Sequence, residues 1–172
     1  MPPLTDATPQ SSSKVIEKPV SSVEISQLQN MTLFFFAYRG FTADSDRILK
    51  EIGFGRAHHR VLFFVCRKPG MNVAELLQIL GITKQSLARV LRQMLSKGHI
   101  FQKPGSSDRR QRLLYATATG RKLMLSLSKM QSDRLSRAIQ QSGVSDTEDI
   151  SRFLSAMIEP YEHELMQKLS SP

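Results

Sequence analysis

Residues 81–100 read GITKQSLARVLRQMLSKGHI, and their spacing decides the fold. Gly81 supplies a tight turn after VAELLQIL, residues 73–80, which Asn72 can cap. Thr83 can cap the longer run KQSLARVLRQMLSK, and Gly98 stops it. Val73, Leu76, Leu77 and Leu80 face Ile82, Leu87, Val90, Leu91, Met94 and Leu95 across that turn. Two short helices joined in this way form a helix-turn-helix. The second is longer and carries Lys84, Gln85, Ser86, Arg89, Arg92 and Lys97 on its polar side.

Toward the C-terminus, residues 100–103 and 112–116 read as two short strands, with turn chemistry between them in Pro-Gly-Ser-Ser-Asp, residues 104–108. A helix-turn-helix followed by a basic hairpin is a winged helix. Its tip, GSSDRRQRLLYAT at residues 105–117, holds three arginines and one aspartate. Residues two apart in an extended segment share a side, so Asp108 can orient Arg110 while Arg109 points to the other face, toward backbone phosphate. Arg112 shares the side of Arg110, further from the tip. Between residues 84 and 122 ten basic residues stand against Asp108 alone. Such a surface fits DNA: a helix in the major groove presents its N-terminal residues to base edges, and a wing arginine is drawn to a narrow minor groove. Gln85 suits adenine, Arg89 suits guanine or phosphate, and Thr83, Lys84, Ser86 and Arg92 complete the candidate contact set.

Toward the N-terminus, RAHHRVLFFVCRK (residues 56–68) is a short amphipathic helix between Gly55 and Pro69-Gly70, with Val61, Leu62, Phe64 and Val65 inward. Before it, from residue 23 to about 52, Leu28, Met31, Phe35, Tyr38 and Phe41 recur at helical spacing, and Leu33, Phe34 and Phe36 add apolar surface on other sides. A helix apolar around most of its circumference is buried on more than one side, within a core or against a second copy of the chain. Residues 1–20, rich in Pro, Ser and Thr, read as a disordered arm. After the wing, Thr117 can cap a helix to about residue 141, and Ser145 with Glu148 forms a capping box for a last helix to about 169, which Pro160 should kink or split. Met124, Met130 and Met157 read as core filler.

The chain has 172 residues, 24 Lys plus Arg against 15 Asp plus Glu, and a formal net charge of +9. That balance favours a polyanionic partner. No run approaches the roughly 20 apolar residues of a membrane span, and the first residues lack a secretory pattern, so a cytoplasmic protein without a membrane partner is expected. The single cysteine, Cys66, excludes an intrachain disulfide and any multi-cysteine metal site. No Gly-rich phosphate loop, metal-ligand spacing or nucleophile elbow occurs, so neither catalysis nor a cofactor is expected. His58 and His59, adjacent on a helix, point roughly 100° apart and cannot readily share one metal. With Tyr38 and Arg39 they can instead line a cavity between the flanking helices and the DNA-binding lobe, as candidate effector-binding residues.

From about residue 23 to 169 the helix order resembles that of the MarR-type transcription regulators, most specifically in GITKQSLARVLRQMLSKGHI followed by DRRQRLLYATATG. The Asp-Arg-Arg wing, the apolar strand and the Thr-x-x-Gly helix start are similar to that family's signature. The resemblance implies a homodimer that binds palindromic operator DNA, often released by a small molecule or by oxidation of a thiol. By position it implies Arg110 as the minor-groove arginine, Asp108 as its orienter, and the helix over 84–97 as the reader. The expected architecture is mainly α: an arm over 1–20, an N-terminal dimerisation helix over 21–52, a winged helix-turn-helix domain with a two-stranded wing over 53–116, and C-terminal dimerisation helices over 117–172. A winged helix that serves protein interaction, or binds DNA without reading sequence, is the alternative that the residues leave open.

Overall fold

The computed structural model describes residues 22–106 and 108–170; the arm expected over 1–20 lies outside the described residues. Seven helices and three strands follow in the order α1 (Ser22–Glu51), α2 (Arg56–Arg67), β1 (Met71–Asn72), α3 (Val73–Leu80), α4 (Lys84–Ser96), β2 (Ile100–Pro104), β3 (Arg112–Ala116), α5 (Ala118–Ser142), α6 (Thr147–Ala156) and α7 (Pro160–Ser170) among the described residues. Two compact units divide between Ala37 and Tyr38, inside α1. In the first, Thr32 donates its hydroxyl back to the Leu28 carbonyl at 2.7 Å, and Leu33, Phe34 and Phe35 are exposed, Phe35 at 66%.

The second unit is organised around the helix-turn-helix. The Asn72 carboxamide accepts from the Glu75 N–H at 3.0 Å and the Glu75 carboxylate accepts from the Asn72 N–H at 2.8 Å, so two donors at the start of α3 are satisfied reciprocally. Gly81, at φ +61°, ends α3 in the left-handed region that favours glycine. Thr83 accepts from the Ser86 N–H and starts α4. At the other end Gly98 donates to the Leu95 carbonyl and His99 to the Met94 carbonyl, which closes α4 with a Schellman turn. Between these stops Leu76, Leu80, Leu87 and Met94 are buried, together with Val61, Leu62 and Val65 of α2. Phe64, expected inward with them, is only half-buried.

The wing strands pair antiparallel from Ile100 opposite Ala116 to Pro104 opposite Arg112. The sheet has a third strand that the sequence did not announce: β1 pairs with the other side of β3, Met71 opposite Leu114, giving the order β1-β3-β2. Two residues are too few to show a strand's alternation, so only the pairing reveals it. Thr117 then accepts from the Gly120 N–H and donates its hydroxyl to the Gly98 carbonyl, which seats the start of α5 on the end of α4. Gly120 is required there, since a Cβ would lie 2.0 Å from the His99 carbonyl oxygen.

Two expectations for the C-terminal segment are corrected. The cap of α6 is Asp146, which accepts from the Glu148 N–H at 2.8 Å, and not Ser145. Met157, expected as core filler, is exposed at 52%. Pro160 splits the last helix: it stands first in α7, where its missing N–H costs nothing, while Glu162 and His163 donate to the Glu159 carbonyl. The break lets α7 return to the winged helix, where Leu165 and Leu169 pack around Ile79. Arg134 of α5 pairs with Asp44 of α1 at 2.9 Å. No helix among the described residues is long and apolar enough to cross a membrane.

Candidate nucleic-acid interface

Helix α4 has two unlike faces. Leu87, Val90, Leu91 and Met94 are buried, and α4 packs against α2 and β2, which fixes the rotation of the helix. The opposite face is thereby forced outward, and Gln85, Ser86, Ala88, Arg89 and Arg92 surround a concavity of about 450 Å³. Gln85, Arg89 and Arg92 follow one another at four and three residues, so they form one stripe. Ala88 lies within it and its methyl group leaves the depth that longer neighbours frame. Ala88 carries no polar group to mark it in the sequence; its helical spacing from Gln85 is the one signal of its place. Lys84 is exposed at the first turn, whereas Thr83 is engaged in capping. Lys97 does not join the stripe: its ammonium donates to the Ile52 carbonyl and lies 5.3 Å from the centre of the Phe54 ring.

The wing tip is held by backbone bonds from Gly105 to the Gln111 carbonyl and from Gln111 to the Asp108 carbonyl. Asp108 meets the backbone of Arg110. Its carboxylate accepts from the Arg110 backbone N–H at 2.9 Å, an Asx turn that sets the direction of the chain, and no bond to the guanidinium is made. Arg110 and Arg112 line one groove of about 310 Å³ with Asn72, Val73, Ala74 and Gln111, so the wing arginines stand beside the first turn of α3. Arg109 is exposed outside this groove.

A second concavity, of about 300 Å³, lies among α1, α2 and α5 within the second unit. Tyr38 and His59, two of the four candidate effector residues, line it with Phe41, Phe63 and Gln131. Arg56 closes one side, paired with Asp46 at 2.8 Å and 5.6 Å from the Tyr38 ring centre. The His59 Nε2 is buried and finds no hydrogen-bond partner among the described residues. Burial pushes the His59 imidazole below its usual range, against the pull of Asp46. The other two candidates lie elsewhere: Arg39 is exposed on α1, and His58 turns from the cavity to α4, bonding Gln93 at 2.7 Å. Cys66 is half-buried, and burial raises its thiol pKa despite Arg121 nearby, which is the setting of an inert cysteine.

A sequence profile described as the MarR family matches residues 52–111, the span from the end of α1 to the wing tip. Over 126 residues, 73% of this chain and 76% of the relative, the sequence is 44% identical to the HTH-type transcriptional regulator PetP of Rhodobacter capsulatus. The chain belongs to the MarR family. Its fold is also that of solved MarR-type structures. A transcriptional repressor, CouR, bound to a 23-mer DNA duplex superposes with a TM-score of 0.63 at 22% identity, covering 81% of this chain and 99% of that one. A MarR variant from E. coli complexed with operator DNA gives 0.60 at 18% identity, covering 81% and 100%. This MarR-family chain is therefore a DNA-binding transcription regulator of winged-helix fold.

Proposed function

We propose that the chain acts as a homodimer on palindromic operator DNA, with α4 of each copy reading bases in the major groove and the wing placing Arg110 in the adjacent minor groove. The observation that carries this reading is the α4 stripe: one side of the helix is locked by Leu87, Val90, Leu91 and Met94, so Gln85, Arg89 and Arg92 are presented in one fixed direction. A helix held in one rotation can set these side chains against base edges, which is what reading needs beyond the neutralisation of phosphate. Thr83, Lys84, Ser86, Arg109 and Arg112 are assigned to the same interface. Residues 53–116 are the reading domain in this scheme, and 21–52 with 117–172 hold the two copies together. The exposed Leu33, Phe34 and Phe35 in α1, and Phe153, Leu154 and Met157 in and just after α6, support a partner of the same chain.

The cavity among α1, α2 and α5 suits a small aromatic effector that stacks on Tyr38 and Phe63 and bonds the unsatisfied His59 nitrogen. Cytoplasmic residence and the lack of a catalytic role accompany this reading. Its test is competition: the protein should retain a duplex selected from a random-sequence pool against a large excess of unselected duplex at fixed salt. Equal displacement by both would leave a winged helix that binds DNA without reading it.

A further inference from the structure

The two adjacent histidines of α2 serve different neighbours. His59 faces the cavity, while His58, third residue of α2, stacks flat on Phe54 with ring centres 4.5 Å apart and planes 7° from parallel. Its Nδ1 accepts the Gly55 N–H at 3.1 Å, which closes the first turn of the helix. Its Nε2 lies 2.7 Å from the Gln93 Oε1 on α4. A backbone N–H can only donate, so Nδ1 must present a lone pair, and the proton of the neutral ring sits on Nε2 and is donated to Gln93. One ring in one tautomer therefore ties the start of α2 to the helix that carries Arg89 and Arg92. Phe54 is the hub of the same cluster: the Lys97 ammonium lies over it at 5.3 Å, and His99, just past α4, meets its edge at 4.9 Å.

We propose that His58 is a positioning residue for DNA reading: in its neutral form it holds α4, through Gln93, in the setting that presents Gln85, Arg89 and Arg92 to bases, and protonation undoes that setting. This rests on the assignment of α4 as the reader. An imidazolium carries a proton on both nitrogens, so the Gly55 N–H would face another N–H, and the ring must turn away from Gly55, which also moves the Nε2–H that Gln93 accepts. The charged groups facing the ring are Lys97 and Arg89 of α4, both cationic; His99 reaches the far edge of Phe54, and residues 53–55 bring no charge. Burial, helped by these cations and opposed by the Gln93 and Gly55 hydrogen bonds, holds the imidazole below its usual range, so the bracket is intact at neutral pH and is released only as the medium becomes acidic.

The effect has a sign that simple charge does not. Protonating any histidine makes the protein more positive and should strengthen contact with DNA of any sequence, whereas releasing α4 weakens only the sequence-specific part. The experiment measures affinity, at constant ionic strength, for a duplex enriched by the wild-type protein at about pH 7.5 and for an unselected duplex of equal length, between about pH 7.5 and 5.5. The ratio of the two affinities is expected to fall by about fivefold or more in the wild type, the low end of coupling between distinct sites. In His58→Gln, whose side chain can still accept from Gly55 but does not titrate, the ratio should stay flat. Gln93→Ala leaves the α2 cap intact and cuts the tie, so it should lower the ratio already at pH 7.5 and flatten its pH dependence. A His58→Gln profile that follows the wild type, or a wild-type ratio that holds or rises in acid, overturns the positioning role while leaving α4 as reader. A wild type with no preference at pH 7.5 overturns the reader and the positioning role together.

Discussion

The winged helix and the segments that flank it use their apolar residues in opposite ways. From α2 to β3, Leu62, Leu76, Leu87, Met94 and Leu114 are buried to within 1% of complete, all within the second unit of a single chain. In the first unit of α1, Leu33, Phe34 and Phe35 remain exposed, and Phe153 of α6 is exposed at 62%. The difference teaches where the molecule is finished. The winged helix closes its own core; α1 and α6 expose apolar side chains, which is what the proposed homodimer would cover.

The largest expected effect tests the closed side of that contrast. Leu76→Ala should cost about 2–5 kcal/mol at every protein concentration, because it removes a fully buried side chain from a packed core. Denaturant unfolding at two concentrations measures it. Phe35→Asp should behave differently: it should shift sedimentation from dimer toward monomer and abolish any dependence of Tm on concentration. If Phe35→Asp destabilises the protein as Leu76→Ala does, independent of concentration, the exposed face belongs to one chain's own fold.

A smaller effect concerns the wing. Asp108→Ala removes the acceptor that bonds the Arg110 N–H and should weaken binding to the selected duplex several-fold, although the protein becomes more positive. Asp108→Asn keeps an acceptor oxygen in place and should bind at least as well as the wild type. Equal affinity for both variants, read by fluorescence anisotropy, would reduce the wing to a basic loop. The smallest effect is on acid tolerance. Burial pushes the Glu75 carboxyl up, but the Asn72 N–H and the Lys68 ammonium outweigh it and hold it below the usual carboxylate range. Its folded pKa is thus depressed, so its stabilisation is present above the ordinary carboxylate pKa and is lost as pH falls through the folded value. Lys68→Met should move the acid-unfolding midpoint slightly upward, followed by circular dichroism.

Much of this was legible in the residues because local chemistry and tertiary structure agree in the helix-turn-helix. Asn72, Gly81, Thr83 and Gly98 stop and start α3 and α4 where capping rules place them. Legibility failed where a choice lay between neighbours. Ser145 and Asp146 are both capping residues, and only the backbone path decides for Asp146. Asp108 and Arg110 stand two residues apart, but whether a carboxylate meets a guanidinium or a backbone N–H depends on a turn that sequence does not specify. Adjacent histidines must diverge on a helix, yet which one meets the cavity and which one meets Gln93 is set by packing between α2 and α4. Strand β1 exists only through its pairing with β3.

The most direct measurement of the central claim, that α4 reads sequence, is the affinity of Gln85→Ala and Arg89→Ala for a panel of duplexes differing from the selected site by one base pair each. The expected result is a loss of about 1–3 kcal/mol on the selected site that disappears at one position of the panel, where the wild type has already lost its base contact. Losses equal on every duplex, with a shallower salt dependence, would contradict it and assign these side chains to phosphate.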